Sequence, residues 1–206
     1  MSKNIKQIID FIEYSEGLKT ELRNSWLSDD RQESVAEHSW RMSIIAMAIA
    51  SSTKLNLDMA KVLKMAAIHD IAEIEAGDVP TIYHMVDEAV AAKKEADEKS
   101  AIDNIHRATA DTTGEEIYSL WNEFEAQTTN EAKFVKIIDK FEAITQKYQA
   151  SLASYNRQDA ANRAGAPGYF EKLEKMCEID DYLVLIFKEL VARRNEIKFD
   201  RLSELG

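Results

Sequence analysis

Helix breakers are scarce in this chain, and that scarcity restricts it to one broad class of fold. Only 6 glycines and 2 prolines occur in 206 residues. Long stretches therefore run without a residue that would end a helix, which favours helices over a strand-and-turn architecture. Residues 4–16 carry Ile5, Ile8, Ile9 and Ile12 at helical spacing and predict a first helix. Ser34-Val35-Ala36-Glu37 reads as a capping box, with Glu37 able to reach back to the Ser34 amide. The helix it opens carries His38, Met42, Ile45 and Ile49 on one stripe, so this histidine belongs to the buried face. Asn56 or Asp58 caps the next helix, whose inward stripe is Val62, Met65, Ala66, His69 and Glu73. Gly77 ends it, and Asp78-Val79-Pro80 forms the exit turn. Further helices are expected over about 84–109 and 114–126, and from a second capping box, Thr128-Thr129-Asn130-Glu131, to about residue 152. A loop centred on residues 163–168 leads to a C-terminal helical region whose apolar content is Tyr182, Leu183, Leu185, Ile186 and Leu190. Residues 17–33 look irregular, and no convincing strand is found. The expected fold class is all-α: a helical bundle over 1–155 with a helical extension, 156–206, packed on the same domain.

Composition narrows the function. Hydrophobic residues make up 45% of the chain, enough to bury one core, and two full domains are not expected at this length. A net charge of −11 with no compensating basic block argues against DNA or RNA as partner, though a small phosphorylated metabolite remains compatible. Cys177 is the only cysteine, so no intrachain disulfide can form and a reducing compartment is the simpler assumption. The N-terminus lacks the apolar core of a signal peptide, and no run of about 18 apolar residues exists to span a membrane. A soluble cytoplasmic protein is the expectation.

One run breaks the apolar pattern. His69 and Asp70 stand side by side in Ala66-Ala67-Ile68-His69-Asp70-Ile71-Ala72-Glu73. Burying a histidine beside a carboxylate is costly unless something binds both, and a divalent cation is the usual agent. Further ligands must then sit on other inward stripes, and His38 and Asp139 are the candidates. Asp139 lies mid-helix in Phe134-Val135-Lys136-Ile137-Ile138-Asp139-Lys140-Phe141, where aspartate is disfavoured. Taken singly, Asp139 reads equally as a surface acid paired with Lys136 or Lys140, and His38 as a hydrogen-bonded core histidine. Taken together, two imidazoles and two carboxylates suit a borderline-to-hard divalent metal such as manganese, iron, cobalt or zinc. They leave coordination positions open, as catalytic sites do.

These motifs resemble the HD superfamily of metal-dependent phosphohydrolases, which are all-helical. The pattern is a first histidine, a His-Asp pair about thirty residues on and a distant aspartate. Glu33-Ser34-Val35-Ala36-Glu37-His38-Ser39, the stretch His69 to Pro80 and the stretch Glu131 to Lys140 resemble one branch of it. That branch holds the bacterial 5′-deoxynucleotidases and the eukaryotic HD domain-containing protein 2. The likeness covers roughly residues 5–150 and includes the offsets of Glu73 and Asp78. It implies hydrolysis of a deoxyribonucleoside 5′-monophosphate to nucleoside and phosphate. His38, His69, Asp70 and Asp139 would hold the metal (manganese, cobalt, iron, zinc or magnesium), and Glu73 and Asp78 would be acid–base or water-positioning carboxylates. Apart from the metal cluster, Glu73 reads as an exposed helix-end acid and Asp78 as a turn residue.

Substrate recognition is less marked. The branch uses a tryptophan near sugar and base, here Trp26, which reads equally as a core aromatic anchoring its loop. Bacterial members carry an arginine directly before that tryptophan, and this chain has Ser25 there. Phosphate contact then falls to Arg23, Arg31 or Lys93; Arg41 is a further cation, or a partner for Glu37. Two rival functions stand beside the first. An HD enzyme acting on a triphosphate, cyclic or hyperphosphorylated nucleotide would call for several Arg and Lys along a groove, and the basic content near the motifs is modest. A non-catalytic metal-binding dimerisation module would dispense with Glu73 and Asp78, which are present. Trp121, Phe124 and Phe141 read mostly as core, and the terminal helices are expected to contribute a homodimer surface.

Overall fold

The computed structural model describes residues 2–109, 112–151 and 168–204. Helices α1 (Ser2–Tyr14) and α2 (Gly17–Thr20) lead into a hairpin of β1 (Leu22–Trp26) and β2 (Gln32–Ser34). Then come α3 (Val35–Ala50), α4 (Met59–Ile68), α5 (Glu73–Ala76), α6 (Thr81–Val86), α7 (Glu88–Ala108), α8 (Thr112–Ala126) and α9 (Asn130–Gln149). We number the last two helices α10 (Tyr169–Cys177) and α11 (Asp181–Glu204). The chain is mostly α-helical, as its lack of breakers requires. No described helix is long and apolar enough to cross a membrane.

Caps account for several boundaries. The first capping box is present in both directions: the Glu37 amide donates to Ser34 Oγ, and the Ser34 amide donates to Glu37 Oε2. Asp58 caps α4 through the amides of Ala60 and Lys61. The second expected box is not formed. Thr129, not Thr128, is the N-cap of α9 and accepts from the Ala132 amide, while Glu131 accepts from the Asp58 amide. The tertiary contact with the start of α4 outcompetes the local one.

Three further differences from the sequence reading matter for the site. The region read as irregular holds an antiparallel hairpin pairing Leu22 with Ser34 and Trp26 with Gln32. The five-residue strand shows no alternation in burial, and the three-residue one is too short to show a period of two. The helix expected to run unbroken to Gly77 stops at Ile68, with His69 as its C-cap. Tighter i to i+3 bonds follow (Ile71 to Ile68, Glu73 to Asp70) before α5 resumes. Neighbouring residues in a continuous helix point about 100° apart, and across this break the His69 and Asp70 side chains come within 3.0 Å of each other. Finally, Asp87 caps α7 after a separate short α6, where one helix from about 84 was expected.

Among the described residues, two apolar clusters hold the bundle. The larger joins α3, α4, α8 and α9 to the C-terminal helices through Met42, Met65, Phe124, Phe141, Leu173 and Leu183. The smaller packs Ile71, Ile102, Ile105 and Trp121 between the α4–α5 junction, α7 and α8. Trp121, Phe124 and Phe141 are core residues, as expected. Of the C-terminal residues named from sequence, Leu183 is buried while Leu185 is exposed; Phe187 completes the buried stripe. Most of the 163–168 loop, including Ala164 to Pro167, lies outside the described residues. Gly17 is required by packing, because a Cβ there would lie 2.6 Å from the Ile74 side chain on α5. Gly77 is required by its backbone, with φ of +78° at the end of α5.

Candidate metal centre

Three helical segments deliver four side chains to one point. His38 comes from the first turn of α3, His69 and Asp70 from the broken turn after α4, and Asp139 from the middle of α9. His38, His69 and Asp139 each offer a ligand atom within 4.8 Å of the others, and all three are buried. Asp70 Oδ2 is 3.0 Å from His69 Nε2 and 3.8 Å from His38 Nε2, and Asp139 Oδ1 is 3.4 Å from His38 Nε2.

The two imidazoles are held from behind. His38 Nδ1 is 2.5 Å from Glu142 Oε2, and a carboxylate only accepts, so Nδ1 carries the proton. His69 Nδ1 donates to the Ala66 carbonyl at 3.0 Å. Both Nε2 atoms therefore face the Asp70 and Asp139 carboxylates, buried and without a hydrogen bond of adequate geometry. Leaving two ring nitrogens in that state is costly unless a ligand satisfies them. A metal-ligating histidine usually donates its other nitrogen to a carboxylate or carbonyl, and both rings do so here. The donor set fits a divalent cation.

Glu142 was not found from sequence. It lies three residues after Asp139 on the same face, fully buried, and takes Arg41 as second partner at 2.5 Å. Arg41 thus pairs with Glu142; Glu37, the partner read from sequence, pairs with Arg31. Burial opposes the Glu142 charge, but His38, Arg23 and Arg41 hold its carboxyl down at about 2. Burial and Arg23 press on His38 in the opposite sense, and Glu142 and Asp139 outweigh them, raising it to about 9. Burial also works against ionised Asp70 and Asp139, yet both stay well below the usual carboxylate range. His69 and His38 stabilise Asp70; Lys140, His38 and Lys136 stabilise Asp139.

A pocket of about 120 Å³ opens beside this cluster. Asp70, Asp139, Glu73 and Asp78 line it on the acidic side. Glu73 is 4% exposed, and its Oε2 has no hydrogen-bond partner. Burial, with Asp70 and Asp78 close by, pushes its carboxyl well above the usual range. Asp78 accepts from the Asn24 amide at 3.3 Å, and its own amide donates to Glu21. Burial raises Asp78 too, with Arg23 opposing.

The cations of the pocket are only partly those named from sequence. Arg23 lines it, 3.6 Å from Asp70 and 3.2 Å from the buried Glu33. Burial and Glu142 push Glu33 up to about 7. Arg31 lies outside, half exposed and paired with Glu37. Lys93 is exposed and pairs with Asp97; its neighbour Lys94 lines the pocket. Lys136, Lys140 and Lys147 of α9 line it as well, so the basic content that looked modest along the sequence is gathered by folding. Trp26 is half-buried on β1 and is not in the pocket wall, whereas Arg23, Asn24 and Ser25 are. Its carbonyl accepts from Gln146 of α9, which fits the loop-anchor reading.

An HD domain family model matches residues 15–166. The 5′-deoxynucleotidase HDDC2 of Xenopus laevis is 34% identical over 143 residues, covering 68% of this chain and 68% of that protein. Its counterpart in Bos taurus is 30% identical over 195 residues, covering 94% and 88%. A crystal structure from Magnetospirillum magnetotacticum, described as a predicted metal-dependent phosphohydrolase, superposes with a TM-score of 0.79 at 26% identity, covering 95% of each chain. The likeness to HD phosphohydrolases drawn from the motifs therefore extends over most of the molecule, and the chain belongs to the HD domain family.

Proposed function

We propose that this protein is a metal-dependent 5′-deoxynucleotidase, releasing inorganic phosphate from deoxyribonucleoside 5′-monophosphates. One observation carries the chemistry: two inward-facing, unsatisfied Nε2 atoms beside two carboxylates, each ring fixed from behind. The similarity to curated 5′-deoxynucleotidases over two thirds of the chain supports the substrate class.

His38, His69, Asp70 and Asp139 would hold the cation, and their mixed nitrogen and oxygen set favours a first-row divalent metal such as manganese, iron, cobalt or zinc. Such an ion supplies neutralisation of phosphate charge and acidification of water. The protein's own groups supply the rest. Arg23, Lys94 and Lys140 face the space a phosphate would take and can orient its oxygens. Glu73 and Asp78, both shifted towards the neutral form by burial, are placed to take a proton from water and return one to the departing 5′-oxygen. Water adds to phosphorus, the bond from phosphorus to the 5′-oxygen breaks, and the products are deoxynucleoside and phosphate.

The exposed row Ile5, Ile8, Ile9 and Ile12 on α1 supports the expected self-association through the N-terminal helix. Phosphate release from a panel of deoxy- and ribonucleoside monophosphates, with chelator and then with manganese or cobalt restored, tests the main reading. Turnover should require the metal and favour the deoxy series. Turnover of triphosphates but not monophosphates, or none with any metal, would contradict it.

A further inference from the structure

A second cavity, of about 690 Å³, adjoins the metal pocket. The two share Thr81, His84, Lys136, Lys140 and Tyr169 in their walls. At about 120 Å³ the metal pocket is smaller than the usual range of ligand cavities, whereas the neighbour falls within it.

The charge of the second cavity is unlike that of the rest of the molecule. Lys133, Lys136 and Lys140 reach it from one stripe of α9, at offsets of three and four, and Lys172 and Lys175 reach it from α10. No carboxylate is among the described residues that line it, in a chain with 37 acidic and 26 basic residues. Lys61, Lys64, Lys93, Lys94 and Lys99 each pair with an acid. Lys140 pairs with Asp139; among the described residues Lys133, Lys136, Lys172 and Lys175 form no ion pair, and Lys136 lies over the Phe124 ring with Asp139 and Glu125 acting on it at longer range. Like charges gathered without counter-ions repel one another, and a bound anion relieves that. Met85, Ile137, Leu173, Met176 and Ile179 add an apolar floor, with Gln127 beside it.

We propose that this cavity is a second anion subsite and that the preferred substrate carries another phosphate beyond the one cleaved, as in a deoxynucleoside 3′,5′-bisphosphate. The inference rests on the reading of the metal pocket as the place of 5′-phosphate cleavage. A nucleotide held there by its 5′-phosphate must pass its sugar and base into the neighbouring space. The apolar floor suits the base, and the lysines suit a phosphate on the far side of the sugar. A triphosphate tail, polar throughout, would leave the apolar floor unused. The reaction is unchanged: water adds to the 5′-phosphorus, the bond to the 5′-oxygen breaks and takes up a proton there, and nucleoside 3′-phosphate and inorganic phosphate leave.

Two measurements on the full-length chain test this. Isothermal titration without added metal compares deoxyadenosine 3′,5′-bisphosphate with deoxyadenosine 5′-monophosphate and reads binding alone. The bisphosphate should bind roughly tenfold more tightly, a ratio equivalent to a few exposed charge contacts. Combining Lys133→Gln, Lys172→Gln and Lys175→Gln should bring that ratio near one. With manganese restored, phosphate release should show the same ratio in KM. Equal affinities in the unaltered protein, or a ratio that survives the triple substitution, overturn the subsite. Preference for deoxyadenosine triphosphate over the bisphosphate overturns the assignment of its occupant. Should neither nucleotide release phosphate while the lysine-dependent binding advantage persists, the cleavage reading fails and the anion subsite stands.

Discussion

The floor of the metal pocket and the lysine wall beside it carry opposite charge and are built by opposite means. On the floor, the ligand histidines have a fixed partner behind them: Glu142 behind His38, with Arg41 behind Glu142, and the Ala66 carbonyl behind His69. On the wall, Lys133, Lys136, Lys172 and Lys175 form no ion pair among the described residues. The floor is preorganised, since its geometry is set before anything binds. The wall is an unbalanced field that an anionic ligand completes. The first arrangement suits a metal whose ligands must not move; the second suits a substrate that must come and go.

Substitutions separate the two regions, and the largest effects should fall on the floor. Asp139→Asn removes a ligand charge from the centre of the cluster. It should lower kcat/KM by about 4 kcal/mol, roughly a thousandfold, with loss of bound metal seen by elemental analysis. Glu73→Gln should cost on the order of a hundredfold or more in kcat while leaving metal content unchanged, because the Glu73 side chain lines the pocket and is not one of the four ligands. Glu142→Gln keeps a hydrogen-bond acceptor for His38 but loses the charge. Metal affinity should fall by about ten- to a hundredfold, and saturating metal should recover most of the activity, which ligand loss would not permit. Arg31→Ala, on the exposed surface outside both regions, should leave kcat/KM within about twofold. A large loss there would mean that substrate reaches beyond the pocket toward β2.

Much of the floor was legible in the sequence because burying polar residues on apolar stripes leaves a mark. His38 and His69 interrupt otherwise apolar helical faces, and Asp139 sits where aspartate is disfavoured. Glu142 left the same mark, one turn after Asp139, and an inward-facing acid at that offset was the signal to follow. The break after Ile68 left none, since Ile71, Ala72 and Ile74 continue a helical pattern and no glycine or proline intervenes. Only the demand that adjacent His69 and Asp70 serve one metal implies it. The wall was the harder part. Lys93 and Lys94 differ by one position, about 100° around α7, and folding turns Lys94 into the pocket and Lys93 outward. Which of two neighbouring lysines faces a site depends on how α7 packs on α5 and α6, not on local sequence. The hairpin escaped for a similar reason: a three-residue strand is defined by its partner.

The central claim is that one divalent ion is held by residues 38, 69, 70 and 139. Anomalous diffraction from a manganese-loaded crystal tests it most directly. A single peak about 2.2 Å from His38 Nε2, His69 Nε2 and carboxylate oxygens of Asp70 and Asp139 is the predicted result. A peak instead between Glu33, Glu142 and the Nδ1 side of His38, the other buried group of that kind among the described residues, or no peak at all, would contradict it.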